Sequence, residues 1–83
     1  MRGVESFVRS VELGSLAAAS RRLGISAAAV SQNIARLESS LGTRLLTRTT
    51  RSLALTDTGE VYYQRVKGLL QEMELAAEAV SYV

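Results

Sequence analysis

The stretch SAAAVSQNIARLESSLG, residues 26–42, contains the side chains best suited to contact a ligand. At about 100° per residue its apolar positions form one stripe along a helix. That stripe consists of Val30, Ile34, Leu37 and Leu41. The opposite face consists of Ala28, Gln32, Ala35 and Ser39, flanked by Ser31 and Arg36. This face contains no acid and no bulky side chain, so it is not the usual Glu- and Lys-rich surface of a solvated helix.

Such a face is suited to entering a DNA groove, where bulky side chains would collide with bases and acids would repel phosphates. The amide of Gln32 can bridge N6 and N7 of adenine, and Asn33 could do so from a more lateral position. The alanine methyl groups suit contact with thymine methyls. Small residues also allow close packing against another helix, so a packing role is the alternative.

The distribution of charge supports a polyanionic partner. The net charge is only +2, but residues 16–56 contain six arginines against the single acid Glu38. Residues 57–83 contain five acids against Arg65 and Lys67. A basic segment of this size is typical of nucleic-acid binding, with ordinary solvating charge as the alternative.

Composition excludes several other functions. The 83 residues include no Cys and no His, which removes the common metal ligands and the usual general base, so neither a metal nor a cofactor is expected. Without a paired nucleophile and base, or a Gly-rich phosphate loop, an enzyme is not expected. No apolar run approaches the roughly 20 residues of a membrane span, and the N-terminus does not resemble a signal peptide. We therefore expect a cytoplasmic protein with no membrane partner.

Three helices are predicted in the first half of the chain. Residues 2–13 have helical spacing of apolar residues, and Gly14 follows as a stop signal. Ser15 is expected to cap a second helix, LAAASRRL, which ends at Gly24, and Ser26 to cap the third. Two helices joined by a short turn around a glycine form a helix-turn-helix. The first turns of both capped helices offer backbone N–H groups to phosphates.

A β-hairpin is predicted next, from RLLTR and RSLAL on either side of Thr49-Thr50. Arg48 and Arg51 bracket its tip. We expect Arg51 to reach a phosphate or a narrow minor groove. For Arg48 a structural ion pair with Glu38 is expected, with a DNA contact as the alternative.

A long final helix is predicted from Thr56, its cap, to the end of the chain. Its 27 residues would span about 40 Å, whereas a 56-residue globule is roughly 26 Å across. The overhang carries a coiled-coil pattern with steps of four and three residues. This predicted seam consists of Tyr62, Val66, Leu69, Met73, Ala76, Val80 and Val83. We therefore expect a domain over residues 1–56 and a dimerisation helix over residues 57–83, the alternative being a monomer whose helix packs on its own core.

The helix-turn-helix ending in RRLGIS, the run VSQNIARLESSLGTRLLTRTTR and the sequence LTDTG, in this order, resemble the N-terminal DNA-binding domain of LysR-type transcriptional regulators. The resemblance implies a mainly α winged helix-turn-helix, with three helices and a β-hairpin wing. It also implies a linker helix that pairs antiparallel in a homodimer, and a bacterial cytoplasmic regulator that activates or represses transcription. Family members usually continue into an effector-binding domain. The chain ends at Val83, so we expect that domain, and any small-molecule inducer, to be absent from it.

Carried over by position, the family's base or backbone contacts fall on Ala27, Ala28, Ser31 and Gln32, and its wing arginine falls on Arg51. The family often has a basic residue where this chain has Gln32, which argues against a guanine contact there. The predicted site on double-stranded DNA consists of Ser15, Ser26, Ala27, Ala28, Ser31, Gln32, Asn33, Arg36, Thr50 and Arg51. The alternatives are a helical protein-interaction module and a winged-helix regulator of another family.

Overall fold

The computed structural model describes residues 2–48 and 53–81, with the side chain of Arg48 outside the description. Its elements in chain order are α1 (Arg2–Leu13), α2 (Leu16–Leu23), α3 (Ala27–Leu41), β1 (Leu46–Arg48), β2 (Leu53–Leu55) and α4 (Asp57–Val80). Three helices, a two-stranded antiparallel sheet and a long fourth helix confirm the predicted winged helix-turn-helix architecture.

The helix ends follow from local chemistry. The hydroxyl oxygen of Ser15 accepts a hydrogen bond from Ala18 N, and that of Ser26 accepts one from Ala29 N, both at 3.0 Å. These bonds satisfy N–H groups that have no partner inside the helix. Gly24 ends α2 with a φ of 70°, a left-handed conformation that side-chain-bearing residues rarely adopt. The predicted caps are therefore confirmed, and they fix the turn between α2 and α3.

The core lies where α1, α2 and α3 meet the hairpin and the first half of α4. Its buried apolar residues are Phe7, Val8, Ala19, Val30, Ile34, Leu45, Leu46 and Leu70. Along the predicted stripe of α3, Val30 and Ile34 are fully buried and Leu37 is half-buried. Leu41, the last residue of the stripe, remains 43% exposed. The first turn of α1 meets α3 near Leu37, and Leu41 lies one turn beyond that contact.

The two strands of the wing pair Leu46 with Leu55 and Arg48 with Leu53. The residues between the strands, 49–52, lie outside the described residues, so the turn predicted at Thr49-Thr50 stays a prediction. Leu53 and Leu55 are half-buried while Ala54 between them is exposed, which confirms a strand with one buried face.

The start of α4 is bound tightly to the loop before β1. A Cβ on Gly59 would lie 1.9 Å from Leu45 O, so the helix can approach this loop only because residue 59 is a glycine. Thr56 N donates to Leu45 O at 3.0 Å, and the hydroxyls of Thr56 and Thr58 donate to Arg44 O at 2.6 and 2.9 Å. These contacts fix the direction in which α4 leaves the wing.

The first half of α4 packs on its own domain, which corrects two positions of the predicted dimerisation seam. Tyr62 and Val66 are half-buried against the core, and the ring of Tyr62 lies 5.8 Å from that of Phe7. Leu70, which is not in the seam, is the buried leucine of this helix at 4% exposure. From residue 71 to residue 81 every side chain is exposed. No helix within residues 2–48 and 53–81 is both long and apolar enough to cross a membrane.

Candidate nucleic-acid interface

The outer face of α3 is open to solvent over the whole helix. Its exposed residues are Ala27, Ala28, Gln32, Ala35, Arg36 and Ser39. Ser31 is half-buried and already has an interaction partner. The face therefore combines small side chains with one amide and one guanidinium, as the sequence predicted.

The face is held in position by α2 and by the turn at Gly24. Ala19 of α2 is fully buried beside α3, and Ile25 N donates to Ser20 O at 3.1 Å across the turn. Ser15 is half-buried and Ser26 exposed, each at the start of its helix. Since each serine accepts through its oxygen, its hydroxyl hydrogen remains able to donate to an anion. The starts of α2 and α3 therefore present hydroxyl and amide donors.

Asn33 does not belong to this face, and its predicted DNA contact is wrong. Its side chain is only 9% exposed, and its Nδ2 donates to the hydroxyl of Ser6 on α1 at 3.1 Å. Ser6 is itself buried, so the bond satisfies two polar groups inside the domain. A helical-wheel projection of α3 could have indicated the burial of Asn33, because this residue lies only about 70° from the centre of the apolar stripe.

Glu38, the one acid in the basic segment, is buried at the back of α3. Its carboxylate accepts hydrogen bonds from Leu45 N at 2.7 Å and Leu46 N at 3.1 Å, with Arg44 Nε 3.5 Å away. Glu38 therefore holds the loop that leads into the wing, a role the sequence reasoning missed. The predicted pair with Arg48 involves a side chain outside the described residues and stays a prediction.

Because Glu38 is buried and lies beside Arg44, the other exposed charged side chains around α3 are all basic. The remaining charges of residues 16–47 are Arg21, Arg22, Arg36 and Arg44, all four of them exposed. The surface of this segment therefore presents cations and no carboxylate in the described part of the chain. Such a surface attracts phosphates over a wide range of orientations.

The tip of the wing, with the predicted contacts Thr50 and Arg51, lies outside the described residues. The strands on either side of it are described and pair antiparallel, Arg48 with Leu53. Both residues stay predictions.

Residues 1–60 match the model of the family described as bacterial regulatory helix-turn-helix protein, lysR family. The chain belongs to this family. The predicted resemblance is thereby confirmed, and the chain is a LysR-type helix-turn-helix DNA-binding domain.

Two curated relatives place this LysR-type domain among bacterial regulators. The HTH-type transcriptional activator AaeR of Escherichia coli K12 is 39% identical over 74 residues, covering 89% of this chain and 24% of the relative. The HTH-type transcriptional regulator CrgA of Neisseria meningitidis is 47% identical over 70 residues, covering 84% and 23%. The chain thus spans about a quarter of the length of these relatives, whose names are those of transcriptional regulators rather than enzymes.

A solved complex shows the same architecture bound to DNA. The structure of the BenM DNA-binding domain with catB site 1 DNA superposes with a TM-score of 0.86 and 31% identity. The match covers 98% of this chain and 91% of that chain. It extends from the helix-turn-helix through α4, so the long helix is part of the shared fold.

The LTDTG sequence that helped to identify this LysR-type domain has a structural explanation. Thr56 caps α4, Thr58 bonds Arg44 O, and Gly59 permits contact with Leu45 O. The sequence predicted Thr56 as the cap but missed the roles of Thr58 and Gly59. A glycine in the first turn of a helix is the signal that could have indicated a close backbone approach.

Proposed function

We propose that this LysR-type domain binds double-stranded DNA in a sequence-specific manner as a homodimer, with α3 in the major groove and the wing against the backbone or the minor groove. The observation that carries the proposal is the exposed face of α3, which is small and acid-free within a segment whose only acid is buried. A helix of this kind can reach the base edges without steric or electrostatic penalty.

The reading of bases is assigned mainly to Gln32. Its exposed amide can make two hydrogen bonds to adenine, with Nε2 donating to N7 and Oε1 accepting from the N6 amino group. Ala27 and Ala28 offer methyl contacts to thymine. Arg36 lies on the flank of the face, about 40° from Gln32 on the wheel, where a phosphate or a neighbouring base is within the reach of a long side chain.

The phosphate contacts are assigned to the helix starts and to the wing. Ser15 and Ser26 stand at the N-termini of α2 and α3, with hydroxyl and amide donors. Thr50 and Arg51 complete this set at the tip of the wing. These contacts fix the position of α3 in the groove and add affinity without adding sequence information.

Dimerisation is assigned to the exposed half of the predicted seam. Leu69, Met73 and Val80 are 63%, 51% and 69% exposed, and Ala76 lies between them on the same face. Val83 continues the seam outside the described residues. Apolar side chains repeated at this spacing on a projecting helix are suited to cover by a second helix.

The charges along α4 favour an antiparallel pair. Its first half carries Arg65 and Lys67 beside Asp57 and Glu60 and has no net charge, whereas its second half carries Glu72, Glu74 and Glu78. Antiparallel pairing keeps the two acidic halves apart, whereas parallel pairing places them side by side. A two-fold symmetric dimer of this kind reads two half-sites of a pseudo-palindrome.

We further propose that the domain serves transcriptional regulation in bacteria, as part of a longer regulator acting on DNA in the cytoplasm. Its support is the family match and the names of the relatives.

The test is a selection of bound sequences from a random duplex pool by the 83-residue chain, followed by titration of the selected duplex at several salt concentrations. Specific binding should enrich a two-fold symmetric sequence, and log Kobs should fall linearly with log salt with a slope of about −0.9 per phosphate neutralised. If the pool shows no enrichment and binding does not depend on salt, the domain is a protein-interaction module instead.

A further inference from the structure

Beyond Leu70, the projecting half of α4 is joined to the rest of the domain by an ion pair. Leu70 is the last buried residue of α4, and the next eleven residues are all exposed. One turn past Leu70, the carboxylate of Glu74 accepts a hydrogen bond from Arg9 Nη2 at 2.5 Å. Arg9 lies in α1, so this ion pair connects the projecting part of α4 to the helix-turn-helix domain.

A contact within α1 orients the guanidinium of Arg9 independently of α4. Its side chain is only 11% exposed, and its Nη1 donates to Glu12 on the same helix at 2.8 Å. The planar fork of an arginine gives two such bonds a defined mutual direction. The hydrogen bond to Glu12 and the contact with Glu74 raise the pKa of Arg9, against the opposing effect of its burial. Glu74 is thus bound by a rigid cation whose position is set by α1.

We infer that Arg9 is a positioning residue that sets the angle between α4 and α3, and thereby the half-site spacing that the dimer prefers. This inference rests on the proposed function, since it needs two protomers joined through α4. From Leu70 to Val80 the helix forms an arm of about 15 Å, and a tilt of about 13° moves its end by about 3.4 Å, the rise of one base pair. A small change at Glu74 is therefore sufficient to change the spacing.

The variant that tests this is Glu74→Gln, which keeps the size of the side chain and removes the charge that binds Arg9. Glu74 is 54% exposed, so the substitution leaves the core intact. The matched control is Glu78→Gln, one turn further along the same exposed helix. Both variants change the net charge equally, so a general electrostatic effect on DNA binding appears in both.

Each protein is titrated with duplexes that contain two half-sites at spacings varied by one base pair, and with a duplex that contains a single half-site. Wild type and Glu78→Gln should prefer one spacing. In Glu74→Gln the ratio of affinities between the best spacing and its neighbours should fall about fivefold, with binding to the single half-site unchanged. A loss of folding alone would weaken binding to every duplex, the single half-site included.

A wild-type spacing profile in Glu74→Gln overturns the positioning role while leaving the proposed function intact. Equal relaxation in both variants also overturns it, because the effect then belongs to charge and not to the contact with Arg9. If the wild-type chain binds no two-site duplex, the proposed function fails and the inference fails with it.

Discussion

Gln32 and Asn33 are neighbouring amides whose surroundings are opposite. Gln32 is exposed on the outer face of α3, whereas Asn33 is buried against α1 and bonded to Ser6. Their chemistry is nearly the same, so their roles are separated by the 100° that one residue turns along a helix. The pair therefore allows base recognition and folding to be tested independently.

Replacing Gln32 with Ala should relax the base preference at one position of each half-site. The expected loss is about 1–3 kcal/mol of discrimination if the two-bond adenine contact forms. Affinities for duplexes substituted at each position measure it. Ser39→Ala, a change on the same face two turns on, serves as the control and should leave the preference intact. Uniform weakening across all sequences would instead identify Gln32 as a backbone contact.

Replacing Asn33 with Ala should destabilise the domain and leave its base preference unchanged. The substitution leaves the buried hydroxyl of Ser6 without this donor, at an expected cost of about 1–3 kcal/mol. Urea denaturation gives the free energy of unfolding, and Gln32→Ala is the control that should not alter it. An altered base preference with normal stability would restore Asn33 to the DNA-contacting set.

Among the helices and strands, the features predicted correctly from the sequence are those that depend on local interactions. The serine caps, the glycine stops and the order of helices and strands are confirmed, because each depends on a few neighbouring residues. The burial of α4 depends on contacts between distant segments, and there the prediction failed. A helical wheel drawn for one helix could not show that Tyr62 and Val66 pack on their own domain, or that Leu70 is buried in the core.

The two glycines of α4 should respond oppositely to substitution by alanine. At Gly59 a Cβ would meet Leu45 O at 1.9 Å, so Gly59→Ala should cost about 1–3 kcal/mol or more as the helix start is displaced. At Gly68 nothing lies within 4 Å, so Gly68→Ala should stabilise the helix by about 0.5–1 kcal/mol. Thermal unfolding of both variants measures the difference. A neutral Gly59→Ala would show that the contact with the loop is not needed.

Replacing each of the two wing arginines with alanine should change a different property of the domain. Arg51→Ala should lower the salt slope of DNA binding by about one unit, as loss of one phosphate contact does. If Arg51 enters the minor groove, the loss should be greatest on A·T-rich flanks. Arg48→Ala should instead lower the melting temperature through its predicted pair with Glu38. A normal melting temperature with lost DNA binding in Arg48→Ala would reverse the two assignments.

At the scale of the whole molecule, the long helix α4 projects beyond a compact helix-turn-helix domain. The principal extents are 45 × 25 × 20 Å, and the long dimension accommodates the 24 residues of α4. The projecting part has no cover within the described chain, and its apolar residues are of the type that a partner helix buries. In the proposed dimer, a second copy covers this surface and presents a second DNA-binding face.

Replacing Leu69 and Met73 with Glu should give monomers that keep the helix-turn-helix fold. Both side chains are exposed in the single chain, so the domain does not need them, whereas two charges in the seam oppose pairing. Sedimentation at tens of micromolar measures the oligomeric state. Leu75→Glu is the control, since Leu75 is 52% exposed but lies about 140° from the seam. A monomeric wild-type chain would contradict the proposed dimer.

The contact of Phe7 with two tyrosines gives the molecule a built-in optical reporter. The chain has three tyrosines and no tryptophan, and the rings of Tyr62 and Tyr63 lie 5.8 and 6.2 Å from that of Phe7. Two of its three ultraviolet emitters therefore stand at the junction of α1 and α4, and none stands on α3. Tyrosine fluorescence of this chain should therefore respond to changes where α4 packs on α1.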